Sequence, residues 1–405
     1  MKNFETPKEK SPNKEPERIN HISVWSKMDV KEKKQETKES KPYNPELFLA
    51  GKFSFVFNGQ GSHPPLQEIQ KIITNQEFNK TDEILYKNNI YKNLGHFLMH
   101  CTEEEYEELL MDTAINQLIV YTYQQILSNY FNEYWKKIFN QAAPQPINIT
   151  GNSLGMYNAL TSSGNFSFDN GLNIVAKRGL GMRLAYESNP DVETRIVAGL
   201  PFEVIEHIKK YLDLSIANYN SPTQTTFSGK KSELRIFDKL ISDLINQLCD
   251  KNNNDKQIQT LRQYFGYRDD DLDKIKEKIK IIKGKIRGIF HTKYTMPALE
   301  IFEPALSKLA IHENKISVLP DNAGEVLTTT DDIKKFLIDH ITNPVCFPDT
   351  LKKMDAKAII VFGGRQTSAN FTKETLPEIK NNIISLTTKN EIEKFIEKLR
   401  DETRI

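Results

Sequence analysis

Pro146-Ile-Asn-Ile-Thr150 runs without a break into Gly151-Asn152-Ser153-Leu154-Gly155 and on into Met156-Tyr-Asn-Ala-Leu160. Apolar β-branched residues give way to a serine bracketed by glycines, and helix formers follow, so the stretch reads as strand, tight turn, helix. A G-x-S-x-G turn of this kind lets the backbone pass close to its neighbours. It leaves the Ser153 hydroxyl exposed at the N-terminus of the following helix, where main-chain N–H groups favour developing negative charge. The five-residue pattern alone arises often by chance. Its placement between a strand and a helix is what selects a working nucleophile over a structural turn.

Working outward, Phe53-Ser-Phe-Val-Phe57 is a second apolar strand, ending in the glycine-punctuated turn Asn58-Gly-Gln-Gly-Ser62. Helical segments follow to about residue 140. Ser167 is a cap for a helix with Phe168, Leu172 and Val175 on one face. From Arg195 to Tyr294 the pattern is strand, helix, strand, strand, helix, strand. The strands are Ile196–Leu200, Leu214–Asn218, Thr223–Ser228 and Ile286–Thr292, and the helices Phe202–Leu212 and roughly Lys231–Leu248. That order is the ferredoxin-like signature. A polar insertion, 251–284, follows the second helix, with Leu272, Ile275, Ile279 and Ile282 as the stripe of a packed surface helix. A last strand, Ala358–Phe362, turns at Gly363-Gly364, and no internal repeat is evident.

The 405 residues suffice for one large or two ordinary domains. The 55 Lys+Arg nearly cancel 54 Asp+Glu, leaving +1, which excludes a polycation built for nucleic acid and an acidic solvating chain. Cys101, Cys249 and Cys346 are too far apart in sequence to read as a disulfide framework or a zinc site. Membrane partners are not expected, because no run reaches the roughly 18 apolar residues a span needs. The most apolar window, Leu118–Leu127, carries glutamines, and the N-terminus has no apolar signal core. The expected location is the cytoplasm. Residues 1–45 hold 11 Lys/Arg and eight acids with scattered prolines, and are expected to be a disordered charged leader, with Val24-Trp25 as the one short anchor for docking.

Several stretches resemble one family. Phe55-Val-Phe-Asn-Gly-Gln-Gly-Ser-His63 is similar to F-V-F-P-G-Q-G-S-Q, and Gly151–Leu160 to G-H-S-L-G-E-x-x-A-L. Ser167-Phe168 with Lys177-Arg178-Gly179 and Met182 is similar to S-F-x-x-A through R-G-x-x-M. Ala217-Asn-Tyr-Asn-Ser-Pro222 and Phe227-Ser-Gly229 are similar to A-N-x-N-S-P-x-Q-x-V-I-S-G. Glu303-Pro-Ala305 and Asn343-Pro-Val345 follow in order. Over about residues 50–380 the chain thus resembles the malonyl-CoA:acyl-carrier-protein transacylases, the acyltransferases of fatty-acid and polyketide synthesis. The resemblance implies an α/β fold: an α/β-hydrolase-like large subdomain (46–190 and 296–405) with an inserted ferredoxin-like small subdomain (191–295). It also implies ping-pong transfer of malonyl from coenzyme A to Ser153 and then to a carrier-protein phosphopantetheine thiol. Malonyl-CoA, an acyl carrier protein and a synthase complex are the implied partners. No metal or cofactor is implied, coenzyme A entering only as substrate.

By the same resemblance Ser153 is the nucleophile, and the main-chain N–H groups of Gln60 and Leu154 form the oxyanion hole. Arg178 pairs with the free carboxylate of the acyl group, which a planar guanidinium holds in two parallel hydrogen bonds. Gln117 and Asn220 line the pocket. The family's base is a histidine six residues before the proline of its E-P-A motif. Counted from Pro304 that position is Ala298, so the histidine is expected to be missing. His291, seven residues earlier, reads as a strand histidine, and His63, after the first glycine turn, as a substitute base. Asn152, Met156 and Gly364-Arg365 depart from the family pattern near the chemistry. Two further functions therefore stand beside the transferase: a catalytically impaired relative that binds a carrier protein or synthase partner, and an acyl-thioester hydrolase, against which Arg178 argues.

Overall fold

The computed structural model describes residues 40–264 and 274–402. Its first strands are β1 (Ser54–Phe57) and β2 (Asn148–Gly151), and three more come late in the chain, β7 (Ser317–Val318), β9 (Ile359–Phe362) and β10 (Ile383–Leu386). They form one parallel sheet in the order β10-β9-β1-β2-β7. β1, β2 and β9 are buried along their whole length, which is why they read as nearly continuous apolar runs rather than alternating ones. The chain builds outward from β1 through β2 to β7 and returns on the other side at β9. The strand order therefore reverses at β1/β9, and the crevice beyond the C-terminal ends of such strands is where ligands bind in open α/β sheets.

A helix of 27 residues, Thr113–Phe139, lies against this sheet. Asp112 caps it, accepting from the N–H groups of Ala114 (2.8 Å) and Ile115 (3.3 Å). One glutamine that interrupts its apolar character, Gln124, is structural. Gln124 clamps the turn after β1 at both backbone groups of Asn58, accepting from its N–H at 2.7 Å and donating to its carbonyl at 3.0 Å. Among the described residues no helix is long and apolar enough to cross a membrane.

The second sheet comprises β3 (Val192–Ala198), β4 (Ser215–Ser221), β5 (Gln224–Lys230) and β6 (Lys280–Lys283), antiparallel in the order β6-β3-β5-β4. The helices Phe202–Ile208 and Lys231–Cys249 cover it. The latter buries Leu234, Phe237, Ile241, Leu244 and Leu248, spaced three and four apart, against Val197, Ile216 and Phe227. β8 (Val345–Cys346), from the part of the chain that rejoins the large sheet, adds to the far edge parallel to β4 and ties the two bodies together.

Three expectations need correction. The fourth strand of the small sheet is Lys280–Lys283 and not Ile286–Thr292, because it is Ile281 and Ile282 that pair with Val197 and Ile196. The 251–284 insertion thus supplies that strand. Its supposed surface helix breaks up: Ile275–Lys278 is one short turn, Ile282 is exposed on the edge strand, and Leu272 lies outside the described residues. The leader is not free to its end either. The Lys41 N–H donates to the Glu378 carbonyl at 2.9 Å, and Tyr43 stacks on Phe48, while Val24-Trp25 lies outside the described residues.

The turn after β2 rests on close backbone contact with β1. A Cβ on Gly155 would stand 2.2 Å from the Phe57 carbonyl oxygen, and one on Gly151 2.0 Å from the Gly155 carbonyl carbon. Gly155→Ala should therefore destabilise the protein by about 2 kcal/mol or more in urea unfolding, although alanine is the better helix former by about 1 kcal/mol.

Candidate active site

Ser153 stands where β2 meets the helix Gly155–Ser162, with φ +52. That left-handed backbone costs a non-glycine residue of order 1 kcal/mol and persists only where the surroundings enforce it. The enforcing contact comes from below. The Ser153 N–H donates to the Asp321 carboxylate at 2.6 Å, and Asp321 is wholly buried.

The hydroxyl meets a histidine, and it is His291. Ser153 Oγ lies 2.6 Å from His291 Nε2. His291 Nδ1 lies 2.6 Å from the main-chain carbonyl of His340, near the end of the helix Thr330–Thr342. A carbonyl only accepts, so Nδ1 carries the proton and Nε2 presents its lone pair to the serine O–H. Burial, then the nearby His340 and Arg178, hold the His291 pKa well below the ordinary histidine range. The imidazole is neutral and competent to take a proton.

His291 is not a strand residue. It has φ +53 and sits in the irregular segment between β6 and the 3-10 turn Lys293–Ala298. Ala298, expected in the histidine's place, packs against Gly181, where even a Cβ on the glycine would come 2.8 Å from the Ala298 oxygen. The signal that finds the histidine is in the sequence: His291 stands six residues before Pro297, so the required spacing holds from that proline rather than from Pro304. His63 is corrected likewise. Its Nε2 lies 2.7 Å from Arg365 and 3.1 Å from Glu107, and no hydrogen bond joins it to Ser153.

Arg178 is also fully buried, on the helix Phe168–Glu187. It donates to Ser153 Oγ (3.0 Å) and to Gln117 Oε1 (2.6 Å), and its guanidinium lies over the Tyr157 ring. Gln117 donates in turn to Thr113 Oγ1, which also accepts from the Gln60 side chain. Gln117 therefore orients the arginine rather than lining the open cleft. Among the described residues no carboxylate forms an ion pair with Arg178, and none accepts from its Nε. Burial lowers its pKa, yet a guanidinium stays charged.

A cavity of about 200 Å³ opens over Ser153 between the two sheets, lined by Gln60, Asn152 and Ser153 on one side, and by Asn220, Lys285 and Phe290 on the other. Asn220 donates to Thr226 Oγ1 at 2.9 Å. The main-chain N–H groups of Gln60 and Leu154 have no acceptor among the described residues and remain available to an oxyanion.

No family model matches the chain. A polyketide-biosynthesis malonyl-CoA–acyl carrier protein transacylase of Bacillus subtilis is 28% identical over 318 residues, 76% of this chain and 91% of that protein. A malonyl-CoA–acyl carrier protein transacylase of the same organism is 24% identical over 272 residues, 65% of this chain and 75% of that protein. Among solved structures, the Streptococcus pneumoniae transacylase superposes with a TM-score of 0.64 over 86% of this chain and all of that one, at 20% identity. That from Coxiella burnetii gives 0.63 over 86% and 97%, at 23% identity. This chain has the malonyl-CoA–acyl carrier protein transacylase fold. Its α/β architecture, a parallel five-stranded sheet beside a second, mostly antiparallel five-stranded one, superposes on those solved transacylases.

In this transacylase fold a neutral His291 costs stability in acid. Its folded pKa lies below its unfolded value near 6.5, so below that pH the unfolded chain binds a proton the folded one refuses. Folding stability should fall as pH drops through about 6.5 and should fall less in His291→Phe. Imidazole NMR titration should find His291 still neutral at pH 6.

Proposed function

We propose that the chain is an acyl-carrier-protein S-malonyltransferase, serving fatty-acid or polyketide synthesis in the cytoplasm. The observation that carries this reading is Arg178, a buried cation with no ion-pair partner among the described residues, held against the nucleophile by Gln117. Such a charge is costly unless a ligand supplies the anion. An acyl group ending in its own carboxylate supplies it, as malonyl does and acetyl does not.

The reaction follows from the remaining contacts. As malonyl-CoA enters, its carboxylate engages the donor edge of Arg178. The Ser153 proton passes to His291 Nε2 while Oγ attacks the thioester carbonyl, and the oxyanion is met by the N–H groups of Gln60 and Leu154. Collapse breaks the C–S bond, coenzyme A leaves as the thiol with the proton from His291, and malonyl remains on Ser153 as an ester. The thiol of a carrier-protein phosphopantetheine repeats the steps in reverse, giving its proton to His291 and restoring Ser153. Coenzyme A and the carrier protein present the same slender arm, so one cleft serves both. The chemistry draws on side chains and main-chain N–H groups, with no further cofactor.

The alternative of an impaired relative drew on Ala298, Asn152 and Met156, and His291 at 2.6 Å from Ser153 Oγ argues against the first of these. Nothing in the cavity favours the thioester hydrolase.

Brief exposure to malonyl-CoA should add one malonyl to the intact mass, and Ser153→Ala should abolish the gain. A folded protein with no gain would overturn the proposal. His291→Ala should slow acylation by about 10³-fold or more. Arg178→Ala should reduce the preference for malonyl-CoA over acetyl-CoA by about two orders of magnitude, read as the ratio of kcat/KM values.

A further inference from the structure

The mechanism above leaves one buried acid without a role. Asp321 lies just beyond β7, completely out of solvent. Its Oδ2 accepts from the Ser153 N–H at 2.6 Å and lies 3.1 Å from His340 Nε2. Its Oδ1 has no hydrogen-bond partner among the described residues. A buried carboxylate with a bare oxygen is expensive, and arrangements of that kind persist where a fixed charge is used. His340 is equally buried, stacked on Phe336 with ring centroids 5.0 Å apart and 4.6 Å from the ring of His291. Its own carbonyl accepts from His291 Nδ1. One residue therefore touches the base through its main chain and the acid through its side chain.

Ser153 is thus bridged between two buried opposite charges that do not form an ion pair with each other. Arg178 donates to its hydroxyl and Asp321 accepts from its N–H. In a serine–histidine–acid triad the acid sits on Nδ1 of the base. Here a neutral carbonyl occupies that place, and among the described residues the acid in hydrogen-bond contact with Ser153 is Asp321, on its main-chain N–H and on His340.

We propose that Asp321, braced by His340, is the positioning residue of this site: its carboxylate holds Ser153 in the left-handed turn and supplies a fixed negative charge that favours the imidazolium formed on His291. The inference rests on the acyl-transfer reading for its chemistry, but it concerns the reactivity of Ser153 whatever the acyl group. Asp321 also offsets part of the positive potential that Arg178 offers an incoming carboxylate. Removing its charge should slow the chemical step without weakening malonyl binding.

Asp321→Asn is the variant of choice, since the amide keeps the shape and an oxygen that can accept the Ser153 N–H. Reactivity is read with a fluorophosphonate probe. The Ser153 oxygen forms a bond to phosphorus, fluoride leaves, and the serine proton goes to His291, so no malonyl recognition is involved. The wild-type protein should be labelled at Ser153, and Asp321→Asn 10- to 100-fold more slowly. With malonyl-CoA, kcat should fall by a similar factor while KM stays level or decreases. A purely structural role would leave Asn near the wild-type rate, or raise KM through a loosened site. His340→Leu, which keeps the carbonyl on His291, should slow labelling several-fold and serves if Asp321→Asn does not fold. A folded variant labelled at the wild-type rate, or a wild-type protein whose Ser153 is not labelled, overturns the proposal. Normal labelling of wild type without malonyl transfer would instead sink the transferase reading and leave this one standing.

Discussion

Ser153 sits in a backbone conformation that a serine avoids, between a strand and a helix that approach too closely to admit anything but glycine on either side. The rest of the site is arranged around that constraint. Gly155 lets the turn close against Phe57, and Gly151 lets it close on itself at Gly155. Asp321 takes the N–H that the turn leaves pointing inward, and the hydroxyl is thereby aimed at His291 and Arg178. Relaxing the turn to right-handed geometry would re-aim the N–H and the hydroxyl together, so the strain and the alignment are one feature.

Burial sets the electrostatics. With water excluded, the charged forms of both His291 and Arg178 are penalised, but with opposite outcomes. The imidazole yields and stays neutral, as a base must, whereas the guanidinium cannot deprotonate and keeps its charge. A polar chain of Gln60, Thr113, Gln117 and Arg178 carries hydrogen bonds from the first glycine turn to the arginine. Fixed partners of this kind restrict the rotamers of long side chains in advance, which is what makes a buried network costly when only partly satisfied and directional when satisfied.

Two sheets are needed because neither body holds the whole site. The large sheet contributes the serine turn and the first glycine turn at the ends of β2 and β1, and β4 brings Asn220 to the opposite wall. The chain leaving β6 brings Phe290 and His291 in between. β8 adds to the small sheet from the returning chain, so the cleft is walled by segments tied at both ends.

Much of this was legible in the residues. Gly151–Gly155 announced the turn, Asn58–Ser62 the glycine turn after the first strand, and the strand and helix order from Arg195 the helix at roughly Lys231–Leu248. Arg178 and Gln117 were picked from the family resemblance and are brought together. Other features were misread for physical reasons. Ile281 and Ile282 form an edge strand because β3 offers them unpaired backbone groups, a fact about a neighbour distant in sequence. His291 reads as a strand histidine because the count runs from Pro304 of the E-P-A motif; the same six residues also fit Pro297, and local pattern does not choose between the two prolines. Asp321 and His340 carried no signal: a lone acid after a short strand and a histidine in a helix are ordinary until folding buries them beneath the same serine. By itself, then, the sequence determined the two glycine turns and the place of Ser153 at the second of them, since glycine spacing and apolar runs act within a few residues. Tertiary structure decided which histidine meets Ser153, its carbonyl partner and the buried acid, because a hydrogen bond between residues 138 or 168 positions apart depends on where the intervening chain has packed.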